Sequence, residues 1–263
     1  MGTEVTNYDE VWARAAAAYA EQHPVPQGGG GQFLSVRGGI LKFEDQPMPG
    51  NQACVIVLTH ILENTFYEGA FDPDNAGAPK CYAFGSRPDQ MAPHESMALH
   101  PDYFEPQNDE CKGCPQNEWG SAAVGAGKAC KNRARLALLP AGMFAQKKGS
   151  RDFDLHIVED PKHFATADIA YFKLPPTSVQ NWGKYAVQIE AAHRRPPYGV
   201  ITRLYVEPHE KHQFHVKFEM LGLVPDALLT AIQGRYAEAA ASIITPYTPP
   251  EERAASGIKG VRK

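Results

Sequence analysis

The residues best placed to do chemistry are four of the five cysteines. Cys111-Lys112-Gly113-Cys114 is a C-x2-C knuckle. Two thiolates at this spacing grip one metal ion from a tight turn, and Gly113 lets the backbone fold round it. Cys130 follows Cys114 with 15 residues between, and Cys81 precedes Cys111 with 29 between. Cys81, Cys111, Cys114 and Cys130 together supply the sulfurs of a tetrahedral structural site, with Zn2+ the leading ion and an iron–sulfur cluster the second choice. Unliganded thiols are the third reading. His94 or His100 is an alternative ligand in place of Cys81, but four cysteines suffice. Cys54 sits in the apolar run Ala53-Cys54-Val55-Ile56-Val57-Leu58, where a free cysteine is core. Residues 71–115 are rich in Pro, Asp, Asn and Gly and poor in periodic hydrophobics, so a metal staple is expected there.

A closed four-sulfur site leaves no position for a reacting water, so the ion is expected to be structural. The zinc deaminase signature is absent: no His has Glu two positions later, and Glu110 stands where Pro would precede Cys111. Gly125-Ala126-Gly127-Lys128-Ala129 ends like a phosphate loop, but Ala122 and Ala129 occupy positions that need Gly and Ser or Thr. No nucleophile elbow, H-E-x-x-H motif or dinucleotide fingerprint is present. His209, His212 and His215 lie three apart, a spacing that does not share a face on a hairpin, so they read as surface histidines. The acids are scattered without a catalytic pairing, and the chain reads as a binding protein and not an enzyme.

Charge points the same way. The net charge is −4 over 263 residues, which excludes a uniformly basic coat for duplex DNA. Its distribution is uneven. Residues 59–118 hold 11 acids and 3 bases, whereas residues 119–151 hold 7 bases and no acid. Gathered on one face, such a run is a footprint for phosphate. Aromatic rings beside it would stack on unpaired bases. Tyr67, Tyr82 and Trp119 lie nearest the cysteines and the basic run, although core packing is the ordinary fate of any one ring. The expected contact set is therefore Tyr67, Tyr82, Trp119, Lys128, Lys131, Arg133 and Arg135, extended by Arg203 and Lys217 on the wet face of a hairpin.

The elements that must position these residues are mostly strands. With 23 Gly and 22 Pro, the composition favours turns and short strands over a helical bundle. Extended segments are expected at 32–43, 53–62, 133–139, 152–158 and 169–174. A hairpin joins 199–206 to 213–220 through a turn at Pro208-His209-Glu210. In its second arm Phe214, Val216 and Phe218 alternate with Gln213, His215 and Lys217. Helices are expected at both ends. Tyr8, Val11, Trp12, Ala15 and Tyr19 share a helical face, followed by a glycine tether at 28–31, and a second helix spans 225–244. Three regions result: a helix and tether at 1–31, a body at 32–246 with a metal-binding insert around 71–132, and a flexible basic tail at 247–263. No run of about 18 apolar residues or secretory leader is apparent, and five cysteines without one suit a reducing, cytoplasmic setting.

One resemblance draws these features together. Cys111-x2-Cys114-Pro115-Gln116-Asn117-Glu118-Trp119-Gly120-Ser121, then Gly127-Lys128-Ala129-Cys130-Lys131-Asn132, resembles a pattern in tailed-phage proteins. Leu174-Pro175-Pro176-Thr177-Ser178-Val179 and Gly199-Val200-Ile201-Thr202-Arg203 follow in similar order. The overall plan is similar to phage helix-destabilising, single-stranded DNA-binding proteins. That resemblance implies a mainly β fold with flanking helices, an OB-like five-stranded antiparallel barrel interrupted by a zinc-binding insert. It implies binding of single-stranded DNA, or RNA, without sequence preference, in phage-type replication or recombination beside partner proteins in the host cytoplasm. The familiar members use one His and three Cys on zinc and end in an acidic tail. This chain offers four Cys and ends Gly257-Ile258-Lys259-Gly260-Val261-Arg262-Lys263. The alternatives are a metal-cluster-stabilised, nuclease-like DNA-processing enzyme and a stapled adaptor that binds only protein.

Overall fold

The structure is a computed structural model that describes residues 33–69 and 77–250. The expected N-terminal helix, the glycine tether and the chain from 251 onward lie outside the described residues. Ten strands form one mixed sheet: β1 (Phe33–Arg37), β2 (Ile40–Phe43), β3 (Gln46–Pro47), β4 (Gln52–Phe66), β5 (Cys81–Gly85), β6 (Lys131–Gln146), β7 (Phe153–Ile157), β8 (Ala170–Leu174), β9 (Val200–His209) and β10 (Gln213–Leu223). Among the described residues three α-helices accompany them: α1 (Pro161–Thr166), α2 (Val179–His193) and α3 (Leu229–Ser242). The order along the sheet is β10-β9-β4-β6-β8-β1-β2-β3, with β5 on β4 and β7 on β6. All pairings are antiparallel except β1 with β8.

The expected closed five-stranded barrel is not what forms. A barrel has one interior, whereas the central strands here are apolar on both faces. Val55, Val57, Leu136 and Leu138 face one core with Trp182, Tyr185 and Ile189 of α2. Cys54, Ile56, Leu58 and Leu139 face the other with Phe164 of α1 and Ile232 and Ala239 of α3. Both faces need cover, so helices layer an open sheet. The sheet still curls. Asn51 Nδ2 donates to Gly39 O at 2.7 Å and to Val206 O at 3.3 Å, tying the β1–β2 hairpin to β9.

Helix α2 is not among the elements expected above. Its periodicity is nonetheless there: Trp182, Tyr185 and Ile189 form the buried stripe, and Arg194, with φ 51°, ends it before Pro196. Strand β9 runs on to His209, so the hairpin turn falls at 210–212 and not at Pro208-His209-Glu210. The insert has a small aromatic core of its own, made by Ala78, Tyr82, Met97 and Phe104 with Tyr247 packed against it. The insert therefore has a fastening that needs no metal. Tyr247 accordingly belongs to the folded body and not to a loose tail. No helix among the described residues is long and apolar enough to cross a membrane.

Candidate functional site

Strands β4 and β6 form a long ribbon, and the cysteine cluster sits at one end of it. Cys81 opens β5 opposite Phe66, the last residue of β4. Cys130 immediately precedes β6. Cys111 and Cys114 stand on the connecting loop, where Gly113 takes φ 74°, a left-handed conformation that favours glycine. All four cysteines line one cavity, with Asn64, Gln116 and Asn117. Its volume of about 20 Å3 admits one water-sized occupant.

The surroundings hold the loop in place. Asn117 Nδ2 donates to Cys111 O at 2.8 Å, Cys130 N to Gln116 O at 2.7 Å, and Cys111 N to Met91 O at 2.9 Å. Asn64 hydrogen-bonds the Cys111 sulfur. Burial pushes the Cys130 thiol up to about 12, and the neighbouring sulfurs of Cys111, Cys81 and Cys114 add to the rise. Burial likewise raises Cys81 and Cys111. Thiols that raise one another electrostatically are mutual neighbours, and a cation among them would reverse the effect. The donor chemistry and cavity size fit a thiolate-bound ion. The sulfurs do not form a set whose atoms all lie within 4.8 Å of one another. A zinc tetrahedron has S···S edges of about 3.8 Å, so closing it requires the side chains to turn inward.

Beside the cage lies an ordered loop with an exposed ring. Gly120 N and Ala122 N both donate to Gly127 O, and Ala129 N donates to Ser121 Oγ at 2.9 Å. These bonds close the loop and leave Trp119 78% and Val124 91% exposed. Lys128 Nζ stands 5.7 Å from the Trp119 ring centre and bonds Asn117 Oδ1 at 3.3 Å. Lys131 and Lys112 are exposed on the same segment.

The structure does not assemble the rest of the expected contact set. Tyr82 is 1% exposed; its ring packs on Phe104 and Tyr247, and its hydroxyl bonds Ser96 Oγ at 2.6 Å. Tyr67 is half-buried near Tyr247. Arg135 is 4% exposed and paired with Glu63, which withdraws it from any phosphate. Arg133 is half-buried and shares the sheet face of Arg135. Arg203 pairs directly across the hairpin with Glu219 at 3.0 Å, and Lys217 pairs diagonally with Glu207 at 3.3 Å. The acid-free run is not one patch either. Lys128 and Lys131 lie at the start of β6, whereas Lys147, Lys148 and Arg151 follow its end, roughly 50 Å of extended strand away.

Sequence reasoning missed two clusters. One is Glu63 with Arg135, Lys173 and Tyr247, where Tyr247 donates to Glu63 Oε1 at 2.6 Å. Only the odd presence of Glu63 inside a buried strand hinted at it. The other is the histidine set. His209 and His215 do share a face, because Gln213 pairs with His209 and His215 with Glu207, which makes the two histidines diagonal neighbours. No family model, no curated protein and no solved structure matches the chain.

Proposed function

We propose that the protein binds single-stranded nucleic acid, DNA in the first instance, through the loop 119–128, with a thiolate-held Zn2+ ordering that loop from beneath. The observation that carries this reading is Trp119, 78% exposed on a hydrogen-bonded loop with a lysine over its face. Leaving an indole in water wastes its burial, unless a flat partner covers it. An unpaired base is such a partner, and Lys112, Lys128 and Lys131 meet the phosphates that accompany it. The contact is small and reads no base edge, so its preference is for strand form and not for sequence. Cys81, Cys111, Cys114 and Cys130 would hold the ion, which supplies rigidity and no reactive water.

The test is competition between oligo-dT and a duplex of equal length at moderate salt. The reading predicts that the single strand wins and that Trp119→Ala abolishes the difference. Equal affinity for the two forms contradicts it, as does unchanged binding by Trp119→Ala. Failure to bind any oligonucleotide at low salt favours a protein partner for the Trp119 and Val124 surface.

A further inference from the structure

At the far end of the molecule, the tip of the β9–β10 hairpin gathers three histidines. His209 and His215 stack with ring centres 3.8 Å apart, and His212, on the turn, stacks on both at 5.1 and 5.4 Å. One ligand nitrogen from each lies within 4.8 Å of the other two. The register of β4 against β9 places this tip beyond Gln52, whereas the cysteines lie past Phe66. Roughly 45 Å of extended strand separates the two clusters.

We propose that His209, His212 and His215 form a second metal site, a three-imidazole seat for a borderline divalent transition ion such as Zn2+, with its fourth position open. One observation supports it besides the stacking and proximity of the rings. His215 Nε2 is buried without a hydrogen-bond partner, although a ring nitrogen ordinarily finds one.

The geometry is within reach. A tetrahedral site with bonds of about 2.1 Å has N···N edges of about 3.4 Å, so the nitrogens need to draw together by about 1.4 Å at most. Side-chain rotation at a half-exposed tip supplies that. An all-nitrogen seat disfavours Mg2+ and Ca2+, which take oxygen ligands. Glu210 and Lys211 share the turn with His212, and Lys217 and Glu207 on the adjoining strands are paired with each other. Three protein ligands leave room for water or for a ligand carried by another molecule, unlike a four-sulfur site. The inference does not depend on nucleic-acid binding.

The experiment is equilibrium dialysis of the full chain against Zn2+ with elemental analysis, on the wild type, His212→Ala and His209→Ala/His215→Ala. The tip is peripheral to both cores, and circular dichroism checks that the variants fold. The expected result is one more equivalent bound by the wild type than by the double variant. His212→Ala should weaken that equivalent by more than about tenfold, the scale set even by outer partners of metal ligands. Co2+ substitution distinguishes the sites: thiolate charge-transfer bands must survive in the histidine variants. Identical stoichiometry and affinity in all three proteins overturns the proposal. So does loss of the thiolate bands together with the equivalent.

Discussion

Arg135 Nη2 lies 2.5 Å from Glu63 Oε1, diagonally across the β4–β6 ladder, and neither side chain is open to solvent. Arg135 Nη1 also donates to the carbonyls of Ile243 and Thr245, at 2.9 and 3.3 Å. The same pair thus holds the ribbon and the segment after α3. A buried pair adds little when compared with an apolar replacement, but removing one partner strands the other charge. Arg135→Leu should therefore cost about 3–5 kcal/mol in urea unfolding. Tyr247→Phe, which removes one hydrogen bond to the carboxylate, should cost about 1–3 kcal/mol.

Acid should act through Glu63. Burial by itself would raise this carboxyl, but the charges of Lys173 and Arg135, with hydrogen bonds from Tyr247 and Arg135, outweigh it and hold the group below its ordinary value. A carboxyl lowered on folding contributes stability above its unfolded value, near 4.5, and that contribution is lost as pH falls through the folded value. Glu63→Gln should flatten this acid limb of a stability–pH profile followed by circular dichroism. An unchanged slope would show that Glu63 is not held as described.

The knuckle glycine gives a conformational prediction. A Cβ at Gly113 would meet nothing within 4 Å, so space is not the issue. Its φ of 74° is, and Gly113→Ala should cost about 1 kcal/mol and loosen the loop between Cys111 and Cys114. Thermal unfolding with and without a chelator checks it. If the proposed ion binds there, the deficit should be larger in the metal-loaded protein, because that ion would demand the turn.

Some of this was legible in the chain. The knuckle, the period-two alternation of Phe214, Val216 and Phe218, and the run Ala53–Leu58 each carry their structure locally, because spacing and side-chain type decide the outcome. What the chain hid are the relations set by register. Arg135 reads as a phosphate contact until β6 is laid against β4, which turns it onto Glu63. His209 and His215 read as unrelated until the turn moves to 210–212. The basic run reads as one patch until a strand of sixteen residues divides it. Tyr82 and Trp182 are core for the same reason: long-range packing, not local composition, decides which rings stay wet.

Individual lysines should separate by position. Lys128→Ala and Lys131→Ala should each weaken oligo-dT binding and reduce the magnitude of the salt slope by about 0.7, the share of one phosphate contact on a single strand. Lys147→Ala and Arg203→Ala should leave the slope unchanged, since the first lies beyond the far end of β6 and the second is engaged by Glu219. Fluorescence anisotropy of labelled oligo-dT measures all four.

The most direct measurement is quenching of intrinsic fluorescence by oligo-dT across a salt series, on the wild type and Trp119→Phe. Trp182 is buried and should not respond, and Trp12 is common to both proteins, so quenching lost in Trp119→Phe belongs to Trp119. The account predicts quenching that disappears in Trp119→Phe, and wild-type affinity that falls with a slope of about −2 in log salt for three lysine contacts. Equal quenching in both proteins, or affinity indifferent to salt, would contradict it.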